Sequence, residues 1–97
     1  MLKMSNRNYS YPIDPNWSIK DLETVIKMFN VVERAYEEGA QREQILDCYR
    51  KFKKVIPAKS EEKQLGRDFY KKSGYQLYSV VKEARTTDKK LIRLSRR

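Results

Sequence analysis

Residues 49–64 read YRKFKKVIPAKSEEKQ, and the fold turns on whether the aromatic and basic residues of this run share one surface. No acid appears before Glu61, and Pro57 interrupts the run. A nucleic-acid-binding patch needs aromatic rings exposed beside the charges, so that bases stack while cations hold the backbone. A helix turns about 100° per residue, which places Ile45, Tyr49, Phe52 and Ile56 within about 60° of one another. Arg50, Lys51 and Lys54 fall on the opposite side. The pattern therefore predicts a helix from about Gln41 to Ile56, stopped by Pro57, with a core-facing stripe and a solvated basic back.

The flanking segments repeat this logic. Upstream, YSYPIDPNW carries two prolines, which fix their own φ and push Tyr11 and Asp14 toward extended backbone; an extended strap is expected. Ser18 is a good N-cap, with Asp21 three residues later. Trp17 and Leu22 stand at hydrophobic-staple spacing. Leu22, Val25, Ile26, Phe29, Val32 and Tyr36 then recur at helical intervals until Gly39. Downstream, Ser60 is expected to cap a third helix, with Glu61 and Glu62 at its positive end and Leu65 and Phe69 turned inward. Ser73-Gly74 breaks it, and a fourth helix presents Leu77, Val80, Val81 and Ala84. Four amphipathic segments with short connections and no strand alternation predict an all-α fold, a small bundle of about four helices with an extended N-terminal strap.

At 97 residues the chain has room for one core, and 39% hydrophobic residues are enough to build it. The expected organisation is a flexible N-terminus over 1–8, a folded body over 9–85 and a basic C-terminal tail over 86–97. The net charge of +9 is uneven: Lys3 and Arg7 contribute at one end, and Lys89, Lys90, Arg93, Arg96 and Arg97 outweigh Asp88 at the other. Those ends carry two thirds of the excess. Such a tail is expected to be dispensable for folding and to attract polyanions weakly.

Composition narrows the chemistry. The sequence contains no histidine and one cysteine, Cys48, which removes histidine-based triads, the usual zinc sites and any internal disulfide. No nucleotide-binding loop is present, and neither enzymatic activity nor a cofactor is expected. The opening residues MLKMSNRNYS lack a signal-length apolar run, and no stretch approaches the roughly 20 apolar residues of a membrane span; a cytoplasmic protein without membrane attachment is expected.

The stretches YSYPIDPNWS, FNVVERAYE, YRKFKKVIPAKSEEKQ and SGYQLYSVVKEAR together resemble the YktA-like proteins, uncharacterised protein family 0223 of Gram-positive bacteria. The resemblance covers about residues 8–85. It implies a small all-helical cytoplasmic bacterial protein and carries over no catalytic or binding residue.

Individual residues supply the remaining expectations. Glu33 lies close to the apolar stripe of the first helix, and an edge carboxylate paired across to a neighbour is the favoured reading over a catalytic one. Ser60 and Lys63 have Ser-x-x-Lys spacing, which the N-cap role explains. Cys48 stands at the margin of a stripe, where burial is favoured over reactivity. Seven tyrosines occur. Tyr9, Tyr11, Tyr70, Tyr75 and Tyr78, in the strap or near the 73–74 break, are candidates for contacting a protein partner, with Tyr75 pointing away from the Leu77/Val81 face if its turn is helical; packing on the bundle is the alternative. Arg50, Lys51, Lys54, Lys89, Lys90, Arg93, Arg96 and Arg97 are candidate polyanion contacts. The leading expectation is a small partner-binding accessory or regulatory protein. The alternative is a weak nucleic-acid- or ribosome-associated protein using the tail and the back of the second helix.

Overall fold

The strap enters the bundle through a turn built on Asp14. Its carbonyl accepts the Trp17 N–H at 3.1 Å, and its carboxylate accepts the Asn16 N–H at 2.9 Å. Ser18 then caps the first helix, its extended backbone leaving Oγ to accept the Asp21 N–H at 3.1 Å. In the computed structural model, which describes residues 11–95, helix α1 spans Ile19–Glu37, α2 Arg42–Val55, α3 Lys59–Ser73 and α4 Leu77–Thr86. The architecture is an all-α bundle of four helices. A two-stranded antiparallel sheet, β1 (Ala40–Gln41) with β2 (Leu91–Ile92), is added to it.

Helix α1 is the centre of the core. It buries Val25, Met28, Phe29, Val31, Val32 and Ala35, a wider arc than its apolar periodicity indicates, because α2, α4 and the strap all pack on it. Leu22, Ile26 and Tyr36 are only part-buried. Phe29 stacks on Phe69 of α3 with ring centroids 4.5 Å apart, and Phe52, Ile45 and Ile56 complete the α2 side. Trp17 is part-buried against this cluster. Gly39 ends α1 at φ 98°, a conformation that opposes a Cβ, and a Cβ there would meet the Leu91 side chain at 3.3 Å.

Two expectations need correction here. Helix α3 begins at Lys59 with Ala58 as its N-cap, and no side chain caps it. Ser60 sits exposed in the first turn. The first turn instead buries Glu62 against Tyr49 and Lys53 of α2. The segment after α4 also differs from a dispensable tail. The Arg42 N–H donates to the Lys90 carbonyl at 2.7 Å, the Leu94 N–H donates to the Ala35 carbonyl at 3.0 Å, and Ile92 is buried in the core. Arg42 closes the junction by donating Nε–H to the Ala84 carbonyl at 2.8 Å, where a cation suits the helix end.

Candidate functional site

Among the described residues, three tyrosine–glutamate pairs tie the elements together. Tyr11 of the strap reaches the buried Glu33 carboxylate, with its hydroxyl 2.9 and 3.0 Å from the two oxygens, and also lies 2.8 Å from Asn30 Oδ1. Tyr49 donates to Glu62 Oε2 at 2.7 Å, while Lys53 Nζ donates to Oε1 at 2.7 Å, joining α2 to α3. Tyr75 donates to Glu37 Oε2 at 2.7 Å and stacks on Tyr36 with centroids 4.7 Å apart. Glu33 is thus a paired carboxylate, as expected, and Tyr11 of the strap is one of its partners.

These contacts set the electrostatics. Burial pushes the Tyr49 hydroxyl up to about 12, reinforced by its hydrogen bond to the Glu62 carboxylate. For Glu62, burial raises the carboxyl, but the hydrogen bonds from Lys53 and Tyr49 outweigh it and hold the group below the ordinary glutamate range.

The candidate tyrosines therefore separate. Tyr75 is buried, which removes it from the partner-contact candidates: Gln76 is extended, so the turn at residue 75 is not helical and the condition for an outward direction is not met. Tyr11 is committed to Glu33. Tyr70 and Tyr78 are 48% and 61% exposed and flank the α3–α4 connection. Tyr9 lies outside the described residues.

Among the basic candidates, Arg50, Lys51 and Lys54 are exposed on the back of α2, while Phe52 is fully buried and Tyr49 part-buried. Asp47 pairs with Arg50 and, at 3.2 Å, with Lys51. The Lys51 hydrogen bond, helped by the charge of Arg50, overcomes desolvation and keeps the Asp47 carboxyl below its usual range. Lys89, Lys90 and Arg93 are exposed around β2, and Arg96 and Arg97 lie outside the described residues.

A feature that composition did not single out lies between α1 and α2. Their side chains line an open groove of about 730 Å³. One wall carries Lys20, Lys27 and Arg34, each seven residues from the next; the other carries Asp47, Cys48 and Lys51. Val31 is the buried residue of the lining. The signal was present in the sequence as that seven-residue spacing of cations. Arg34 donates Nη1–H to Gln44 Oε1 at 3.0 Å across the seam. Among the described residues no ion pair engages Lys20 or Lys27. Burial, then the Asp47 charge, pushes the Cys48 thiol up, against the weaker pull of Lys51, Arg34 and Lys27, so it is protonated at neutral pH. Among the described residues no group of three or more acidic or thiol side chains is placed to hold a metal ion, and no helix is long and apolar enough to cross a membrane.

Residues 8–93 match the family described as Uncharacterised protein family (UPF0223). This chain belongs to that family. A UPF0223 protein of Streptococcus sanguinis (strain SK36) is 47% identical over 91 residues, covering 94% of this chain and 99% of the relative. UPF0223 protein OB1419 of Oceanobacillus iheyensis is 46% identical over 87 residues, covering 90% and 99%. UPF0223 protein YfdD of Lactococcus lactis subsp. lactis is 46% identical over 85 residues, covering 88% and 91%. The UPF0223 match runs through β2, the segment that returns to α1 and β1.

Proposed function

We propose that this UPF0223 protein is a small cytoplasmic accessory protein that binds another protein in the α1/α2 groove. The observation that carries this reading is the groove itself, an open seam between two helices in which the exposed Lys20 and Lys27 form no ion pair among the described residues. Helix pairs commonly receive a partner segment in such a seam. A protonated, half-buried Cys48 is a poor nucleophile, which favours binding over covalent chemistry. A single cysteine suits a reducing compartment.

Nucleic-acid binding through the back of α2 and the 89–93 cations has less support. Asp47 offsets two of the α2 cations, and the α2 aromatics face the core, leaving no stacking surface beside them. Affinity capture from native lysate, with and without nuclease, tests the choice. The wild-type chain is expected to retain a nuclease-resistant protein that Lys27→Glu loses. Capture that disappears with nuclease and ignores Lys27→Glu would reverse the ranking.

A further inference from the structure

We infer that the occupant of the α1/α2 groove is an acidic α-helix bearing carboxylates at seven-residue intervals; this rests on the groove being the binding surface. The first argument is register. At about 1.5 Å per residue, Lys20, Lys27 and Arg34 form a row about 21 Å long with steps of about 10.5 Å. Seven residues are nearly two helical turns, so the row stays on one face with a drift of about 20° per step. A second helix lying along it repeats its own facing side chains at the same interval. Carboxylates seven residues apart then meet all three cations together.

The second argument concerns the backbone. Both walls are helical through their lining residues, 20–34 in α1 and 44–51 in α2, so their main-chain groups are already used within the helices. An extended segment would find no sheet edge to satisfy its own N–H and C=O groups, whereas a helix satisfies them internally. The third argument is composition. Glu23 and Asp47 stand among the lining residues, and no aromatic does. Two carboxylates repel a continuous phosphate chain, and bases find nothing to stack on. A peptide helix places its carboxylates only at the cations and meets Val31 and Cys48 with small apolar side chains.

The test uses the full chain and synthetic probes. One probe is a helical peptide of about three heptads with glutamates at positions 4, 11 and 18. The second has the same composition with glutamates at 4, 9 and 14, which spiral around the helix. The third is a 20-nucleotide oligouridine. Binding is read by fluorescence anisotropy at low and physiological salt. The in-register peptide is expected to bind about tenfold more tightly than its isomer, consistent with three exposed ion pairs of modest individual strength. Lys27→Glu should remove that advantage, and replacing the central glutamate by lysine in the peptide should restore it, with the far-ultraviolet circular dichroism unchanged throughout. Equal affinity for the two peptides overturns the helical register, as does stronger binding to oligouridine. If the lysate partner is still lost on Lys27→Glu, the register fails while the groove stands as the binding surface. If Lys27→Glu changes neither peptide nor lysate binding, the groove reading fails as well.

Discussion

Replacing Gly66 by alanine should make the protein more stable. Gly66 is the eighth of the fifteen residues of α3, and its backbone φ is not positive. A Cβ built there meets nothing within 4 Å, so the substitution introduces neither a clash nor a cavity. What remains is intrinsic propensity, since glycine in a helix interior is less favourable than alanine by about 1 kcal/mol. In a domain of this size that is a rise of about 4–8 °C in Tm, or a higher urea midpoint at unchanged slope. Urea titration followed by circular dichroism and by the part-buried Trp17, the sole tryptophan, provides two independent readouts. Gly39→Ala is the internal control and should lose stability, because its φ of 98° is strained for alanine. A Gly66→Ala variant less stable than wild type would mean that something packs on that face of α3. An unchanged variant would mean that the middle of α3 is not helical in solution.

Further outcomes follow from the core and its latches. Ile92→Ala should cost about 2–4 kcal/mol in urea denaturation, since the side chain is fully enclosed, and ending the chain at Arg85 should unfold it or nearly so. The carboxyl of Glu62 is depressed in the fold, so its contribution is present above the ordinary value of 4.5 and is lost as pH falls through the folded value; the stability gap between wild type and Glu62→Gln should close in that acid window. Tyr49 runs the other way: its raised hydroxyl contributes below 10 and loses that contribution as pH rises toward about 12, where spectrophotometric titration should detect a tyrosine that Tyr49→Phe abolishes. Cys48 should react with a disulfide reagent at pH 8 more slowly in the native chain than in urea.

The helices were legible because their determinants are local. Ser18, the apolar period through Tyr36 and Gly39 bound α1 without reference to anything distant, and Pro57 ends α2 in the same way. Ser60 misled because a serine cap contributes only about 1 kcal/mol, and the contacts of Glu62 with Lys53 and Tyr49 across to α2 are tertiary, so no local pattern displays them. The direction of Tyr75 depends on whether its turn is helical, and the extended backbone of Gln76 that decides it has no local sequence signal. The role of Ile92 depends on a pairing with Ala40 across the whole length of α2, α3 and α4. The inward turn of Phe52 was readable from spacing. The groove was readable only in part, since the cation row is in the sequence but its apposition to Asp47, Cys48 and Lys51 is tertiary.

The return of residues 91–94 to β1 and the end of α1 also dictates when this protein can mature on the ribosome. The face of α1 is written by Glu37, yet Leu94, whose N–H reaches the Ala35 carbonyl near its end, arrives about 57 positions later. At about 5–20 residues per second, that is roughly 3–11 s during which the C-terminal end of α1 waits without that contact. A nascent chain paused before Leu91 would lack the pairing of Ile92 with Ala40 and leave that end of the core unfinished.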